Sequence, residues 1–484
     1  MPPLSFDLHV PRQPARPLPL LKPRHWQTQL IQLLQRRLQR PGGQDVLINA
    51  GPGAGKTLGA LLSFERLQRQ GQLRRFLVFC HRSSIASQWL QAAERLHLQL
   101  REWQPGEPAH DPWGEADGLL LTYQGAGRNL QALLPQLQGC PGGAWLAIAD
   151  EVHHLGLDPE EPEATAWGHA FSRLTAGARL RLGLTGTPFR ADNLAFCAAR
   201  RIQVHDGDAW VEQIAPDLSI EPRDLIVAGD VRPLEFRFQD GWVDHGRHDQ
   251  PGDTERSPLS EEQRESWRAR NLRRAIRLGD SSSIALRLLL NARQRLEVVR
   301  RQHPEAGGLV VARDIAHARH LCGLLEEEGD RVLLVHSQDG AAPEHMQAFK
   351  AGQADWLVSI DMCAEGFDAP RLRVVAYLTT VVTRTRFVQA ITRAVRMDAQ
   401  RAAQEAVPRH PSYVFAPADP LLLQYARTWS LTEPYVLRPK ATEAEAAPGA
   451  GGRAPSLPLQ AMEDGAGAVI RMRGPELPNF VLQR

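Results

Sequence analysis

Three stretches of this chain carry residue types whose spacing suits phosphate chemistry. The first is Ala50-Gly51-Pro52-Gly53-Ala54-Gly55-Lys56-Thr57, a glycine-rich turn closed by a cation and a hydroxyl. Glycines let successive backbone N–H groups point inward at an anion, at the positive end of the helix that follows. In such a loop Lys56 reaches the β- and γ-phosphates, and Thr57 holds Mg²⁺ through its hydroxyl. The second is Asp150-Glu151-Val152-His153-His154, which offers acids for a metal and a water. The third is Gln389-Ala390-Ile391-Thr392-Arg393-Ala394-Val395-Arg396. Its Gln389, Arg393 and Arg396 recur at i, i+4 and i+7, one face of a helix. Two fixed guanidiniums on one face suit a polyphosphate better than they suit each other. Each stretch also has a plain reading: acidic pairs after strands cap helices, and basic helix faces are often solvated.

The elements around these residues decide between the readings. Asp45 to Ala50 is a short strand and Leu58 to Arg69 is helical, the strand–loop–helix setting that a phosphate loop requires. Asp150 closes the apolar run Ala144 to Ala149, which reads as a buried parallel strand. Ligands bind at the carboxyl ends of strands in open α/β sheets. Further strands are expected at Arg75 to Cys80, Gly118 to Gln124 and Arg181 to Pro188. Their exits carry His81-Arg82-Ser83-Ser84, Thr122, and Thr185 and Thr187 about a glycine. Small polar side chains there suit phosphodiester contact, and equally suit helix caps. Upstream, Trp26-Gln27 opens a helix over Leu21 to Arg40. It is a core tryptophan beside an exposed glutamine, or an adenine clamp; the phosphate loop downstream favours the clamp.

A second alternation of strands and helices starts at Gly308 and runs through Arg331 to Val335, Trp356 to Ile360, Val374 to Leu378 and Ser412 to Phe415. It has no phosphate loop, and it holds Glu365-Gly366-Phe367-Asp368 after a strand. The fold expected is α/β, with two tandem parallel-sheet domains. The expected divisions are a proline-rich tail over 1–20, a first domain over 21–225 and a connecting loop or insertion over 226–275. A second domain follows over 276–430, then a partly disordered tail over 431–484. The stretch 237–262 is low in aliphatics and reads as a loop; its Asp244, His245, His248 and Asp249 match no metal-ligand spacing. Helical periodicity returns from Glu262 to Arg301.

Composition bounds the class. The 484 residues hold 43% hydrophobic and 23% charged residues, as in a globular protein with real cores. The net charge of +2 does not announce a nucleic-acid binder, although a basic groove can coexist with acidic surface. Five scattered cysteines argue against a zinc site or a disulfide framework and fit a reducing cytoplasm. No apolar run reaches membrane-spanning length, so no membrane partner is expected.

The ordered set resembles the superfamily 2 helicases and translocases, in the DEAH-like branch of restriction-enzyme motor subunits and bacterial repair helicases. Motif I is similar to Ala50 to Thr57, motif II to Asp150 to His153 and motif III to Leu184 to Pro188. Motif V is similar to Glu365 to Asp368 and motif VI to Gln389 to Arg396, while Gln27 is similar to the adenine-reading glutamine. Thr392 stands where many relatives have glycine, and His81-Arg82 replaces a proline-threonine pair. The resemblance implies tandem RecA-like domains with ATP and Mg²⁺ in the cleft between them. Gly51, Pro52, Gly53, Ala54, Gly55, Gly366 and Asp368 would line the nucleotide, and Asp150 would hold Mg²⁺. Glu151 would deprotonate the attacking water, and Arg393 and Arg396 would neutralise the transition state. Arg82, Ser83, Thr122, Thr185 and Thr187 would touch nucleic acid or couple it to the nucleotide. The implied activity is an ATP-dependent DNA helicase or duplex translocase; an RNA helicase or an ATP-gated clamp are the alternatives. No nuclease signature accompanies the motor, so a nuclease, or a defence or repair subunit, would be a separate partner chain.

Overall fold

The computed structural model describes residues 22–39, 44–81, 83–106, 112–138, 144–155, 164–186, 201–206, 209–246, 254–262, 264–278, 283–360, 367–429 and 469–473. The tail over 1–20, most of the tail over 431–484, and Arg82, Thr187, His248, Asp249, Glu365 and Gly366 lie outside the described residues.

The first domain is built on β1 (Asp45–Ala50), β2 (Arg75–Cys80), β3 (Leu100–Glu102), β4 (Gly118–Thr122), β5 (Trp145–Asp150) and β6 (Leu180–Thr185). A hairpin of β7 (Arg201–Asp206) and β8 (Ala209–Ile214) follows, and β9 (Leu218–Ile220) returns to the sheet. The order is β3-β4-β2-β5-β6-β1-β9, and every pairing is parallel. β1 and β5 are buried at every residue. A parallel strand covered on both faces has no polar side to display, which is why both read as unbroken apolar runs. Parallel neighbours require crossovers; α2 (Lys56–Arg69) and α3 (Ser83–Glu94) are two of them, and α1 (His25–Leu38) packs on α2.

The second sheet begins with β10 (Leu234–Gln239). The hairpin of β11 (Trp242–Gly246) and β12 (Thr254–Pro258) comes next, then α4 (Glu265–Ala275) and α5 (Ile284–Arg300). β13 (Gly307–Ala312), α6 (Ile315–Glu327), β14 (Val332–Val335), β15 (Trp356–Ser359) and β16 (Leu372–Leu378) follow. The domain closes with α7 (Arg384–Ile391), β17 (Ser412–Pro417), α8 (Pro420–Thr428) and β18 (Val469–Arg473). The order is β14-β15-β13-β16-β17-β10-β18; all pairings are parallel except that of β18, which lies antiparallel on β10.

Two tandem parallel α/β domains are therefore present, as expected, with differences at their margins. β10 falls inside the stretch expected as a connector, yet it pairs with β17 of the second sheet from Leu234↔Ser412 to Gln239↔Pro417. The expected loop over 237–262 holds the end of β10 and a hairpin. The helical run from Glu262 to Arg301 is two helices, α4 and α5. Val469–Arg473, in the expected tail, is an edge strand. One buried apolar cluster runs from Trp26 and Leu30 through β1 and β6 to Val231 and Val395, and on to one face of the second sheet. Among the described residues no helix is long and apolar enough to cross a membrane.

Candidate nucleotide site

The turn after β1 is set by two left-handed glycines, Gly53 and Gly55, both at φ +80°. That region strains any residue with a Cβ. α1 grips this turn from outside. Arg24 Nη1 donates to the Gly53 carbonyl at 2.7 Å, Trp26 Nε1 to the Ala54 carbonyl at 3.0 Å and Gln27 Nε2 to the Gly55 carbonyl at 3.1 Å. A trans peptide points its C=O and N–H in opposite directions. With the Ala54 and Gly55 carbonyls drawn towards α1, the N–H groups of Gly55 and Lys56 face away from it, into the cradle. Gln27 is buried, so the exposed glutamine of the plain reading is not what the fold builds, and its amide serves the loop backbone.

The two acids divide at the end of β5. Asp150 is only 6% exposed. Its Oδ2 accepts from Trp89 Nε1 at 2.8 Å and its Oδ1 from the Glu151 N–H at 3.1 Å. Its carbonyl accepts from the Tyr123 hydroxyl at 2.7 Å. Burial, then the charge of Glu151, pushes the Asp150 carboxyl up to about 6, against the pull of Lys56 and the Trp89 hydrogen bond. Glu151 has φ 50°, a left-handed backbone that costs about 1–2 kcal/mol for a residue with a Cβ and recurs where side chains must be aimed. Its Oε1 pairs with Lys56 Nζ at 3.2 Å, and Lys56 also donates to the Ala50 carbonyl at 3.4 Å. The other oxygen, Oε2, accepts from the Gly186 N–H at 3.4 Å. β6 closes against the lysine here: a Cβ at Gly186 would sit 2.9 Å from Lys56 Nζ.

The second domain brings Arg396 to this loop. A Cβ at Gly53 would lie 2.9 Å from Val231, 3.6 Å from Val395 and 3.7 Å from Arg396 Cγ. Arg396 Nη1 lies 3.3 Å from Asp368 Oδ1, and its Nε is buried without a hydrogen-bond partner among the described residues. Arg393 is buried and donates to the Phe367 carbonyl at 3.0 Å. The expectation of one continuous helical face is corrected here. α7 ends at Ile391, Thr392–Val395 is a 3₁₀ turn and Arg396 is extended. Thr392 donates to the Val388 carbonyl at 2.5 Å, a back-bond that tightens the chain and re-aims the residues beyond it.

Several residues that hold the site give no sequence signal of their own. Arg24, Trp89 and Tyr123 are three of them. Arg232 is a fourth: its N–H donates to the Val395 carbonyl at 2.9 Å, its Nη1 to the Arg396 carbonyl at 2.7 Å, and its Nη2 pairs with Glu405 at 2.5 Å. Of the expected coupling residues, Thr185 is buried at the end of β6. Thr122 caps the helix after β4 by accepting from the Gly125 N–H at 3.0 Å, and Ser83 opens α3.

These groups fit a nucleoside triphosphate with a divalent ion. The fit rests on a cradle that a Cβ would fill, an arginine Nε without a partner beside it, and a buried carboxylate.

Comparison with known proteins gives a consistent picture. The family model of the type III restriction enzyme res subunit matches residues 20–190, and that of the helicase conserved C-terminal domain matches residues 291–398. An uncharacterised protein of Mycobacterium leprae is 30% identical over 405 residues, covering 81% of this chain and 62% of that protein. One from Mycobacterium tuberculosis is 30% identical over 407 residues with the same coverage. The chain thus spans 62% of the length of these curated relatives. Among solved structures, a fragment assigned as an HsdR subunit of a type I restriction enzyme from Vibrio vulnificus superposes with a TM-score of 0.52 at 16% identity, over 85% of this chain and 67% of that one. The type ISP restriction-modification enzyme LlaBIII, solved bound to DNA, gives 0.50 at 15% identity, over 81% and 27%. With the ordered motifs, the paired parallel sheets and both family matches, the chain belongs to the superfamily 2 helicases, of the restriction-enzyme-motor-like kind, and carries their tandem RecA-like domains.

Proposed function

We propose that this chain is an ATP-driven DNA translocase or helicase, with hydrolysis at the junction of its two domains. The observation that carries the reading is the meeting of Arg396, from the second domain, with Gly53 of the phosphate loop, beside the Lys56–Glu151 pair. The N–H groups of Gly55 and Lys56 and the Lys56 ammonium would bind the β- and γ-phosphates. Asp150 and Thr57 would hold Mg²⁺, which supplies charge neutralisation on the phosphate oxygens. Glu151 would orient and deprotonate the attacking water. Arg393 and Arg396 would meet the charge that develops in the transition state. Because these arginines belong to the other domain, hydrolysis requires the closed arrangement, and opening and closing would move two grips along a strand. DNA is preferred as the polymer because the matched family and a superposed structure solved on DNA both come from restriction enzymes.

The test is steady-state ATP hydrolysis by the wild type and Glu151→Gln, without polymer and with single-stranded DNA, duplex DNA or RNA. Stimulation by DNA that the variant loses supports the motor. Stimulation by RNA alone overturns the polymer, and equal rates with all polymers and with none favour a clamp.

A further inference from the structure

α4 carries a surface that the nucleotide site does not use. Trp267, Arg270, Arg273, Arg274 and Arg277 fall at i, i+3, i+6, i+7 and i+10, a single stripe of the helix and the turn that continues it. Arg270, Arg273 and Arg277 are exposed, and Trp267 and Arg274 are half-buried. Asn271, Leu272 and Ala275 on the opposite side are buried. Two contacts fix the helix across the carboxyl ends of the second sheet's strands. Arg268 pairs with Asp419 at 3.0 Å beyond β17, and the His317 ring beyond β13 lies against the backbone of Ile276. That edge of an open α/β sheet is where ligands bind.

The charges on the stripe are uncompensated. Among the described residues no carboxylate lies within ion-pair distance of Arg270, Arg273, Arg274 or Arg277. They instead form like-charged neighbours at i,i+3 and i,i+4, an arrangement that weakens a helix. Burial, then the charges of Arg270 and Arg277, lowers the Arg274 guanidinium. Arg270 also lies 5.7 Å over the Trp267 ring. A row of guanidiniums that repel one another on one helix, beside an indole, is balanced by a polyanion with flat faces.

We propose that this face of α4 is a contact for the backbone of one nucleic-acid strand, with Trp267 against a base or sugar; the proposal rests on the motor reading. From Arg270 to Arg277 the stripe runs about 10 Å along the helix and the turn that continues it, long enough to face more than one phosphate of a strand. With side chains of this length, each of the four guanidiniums can reach a phosphate.

The test is binding to labelled single-stranded and duplex DNA by fluorescence anisotropy across a potassium chloride series. One variant carries Arg270→Gln, Arg273→Gln, Arg274→Gln and Arg277→Gln; a second carries lysine at the same positions. With about 0.9 counterions released per duplex phosphate contact, the glutamine variant loses about 3 to 4 from the log–log salt slope and binds at least about tenfold more weakly. The lysine variant keeps most of the slope, and Trp267→Ala weakens single-strand binding with its slope unchanged. Thermal midpoints matching the wild type show that the variants are folded. An unchanged slope in the glutamine variant overturns this proposal alone, as does equal weakening in the lysine variant. Competition by poly-glutamate as effective as that by DNA also overturns it, in favour of an acidic polypeptide. Failure of the wild type to bind any nucleic acid removes the motor reading with it.

Discussion

Replacing Arg232 by methionine tests how the second domain presents Arg396. The Arg232 side chain is 0% exposed and its partner Glu405 is 13% exposed. Methionine keeps much of the volume but loses the charge and every side-chain donor. Removing one partner of a buried pair costs about 3–5 kcal/mol. Arg373 also acts on Glu405, so the lower end, about 3 kcal/mol, is expected. Burial by itself would raise the Glu405 carboxyl; the Arg232 hydrogen bond and charge, with Arg373 and His303, override it and hold it below the ordinary 4.5. Arg232 is shifted the other way in effect, since burial lowers its guanidinium more than Glu405 restores. It stays a cation at neutral pH, so the carboxylate sets the pH dependence. A depressed folded pKa contributes stability that is present above the unfolded value and lost as pH falls through the folded one. The gap between wild type and variant in urea unfolding is thus full near pH 7 and narrows once pH falls below about 4.5. Activity falls as well, because the Arg396 carbonyl loses its anchor; a shift of about 1 Å is worth about 100-fold in kcat. Glu405→Gln is the control: it weakens the pair but leaves Arg232 donating to Arg396, so it loses stability and keeps most of kcat. A folded Arg232→Met with wild-type kcat, or a Glu405→Gln equally inactive, would refute the positioning role.

Gly53→Ala puts a Cβ 2.9 Å from Val231 on a backbone at φ +80°, so the phosphate loop or Val231 must shift, while Val395 and Arg396 stay at ordinary contact distance. We expect about 1–2 kcal/mol of strain and a kcat/KM for ATP at least about tenfold lower. Gly71→Ala, at φ +70° with nothing within 4 Å, isolates the strain and should leave the kinetics alone. Trp89→Phe removes the N–H that orients Asp150, and the Mg²⁺ concentration for half-maximal hydrolysis should rise about 10- to 100-fold, read by titration.

Local features were legible in the sequence. β1, β5, β13 and β16 are covered on both faces and so read as apolar runs. The phosphate loop sits between a strand and a helix that its own neighbours specify. β10 carried a signal that was missed: Phe236 and Phe238 are buried while Glu235 and Arg237 are not, a period of two within the stretch expected as a connecting loop. Its place in the second sheet was not legible, because its partner β17 lies far along the chain. The same holds for β18, a short strand that among the described residues pairs only with β10. The Gln389–Arg396 spacing failed as a helical face because the α-helix ends at Ile391 and a 3₁₀ turn over Thr392–Val395 changes the period in mid-run. Trp89 and Arg232 act across distances no spacing encodes: each reaches a residue brought near only by sheet order or domain contact.

The ion pairs around the site fall into two kinds, and the division reflects the task of each. Arg232–Glu405 and Arg268–Asp419 are buried, and breaking either is expensive, so they fix geometry. Lys56–Glu151 is 14% and 29% exposed and Arg396–Asp368 is 23% and 46% exposed. The Arg396–Asp368 pair, open to water at Asp368, is worth about 0–1 kcal/mol, and Lys56–Glu151 is half-buried; in the proposed site a polyphosphate competes with each carboxylate for its cation. In the proposed reaction that exchange has a consequence for Glu151. Paired with Lys56, its carboxylate is engaged by the ammonium. Once Lys56 turns to phosphate, Glu151 loses its cation while its left-handed backbone and the Gly186 N–H still hold it in place. In that reading the arrival of nucleotide would free Glu151 to take up the attacking water, and a site without substrate would leave it paired with Lys56.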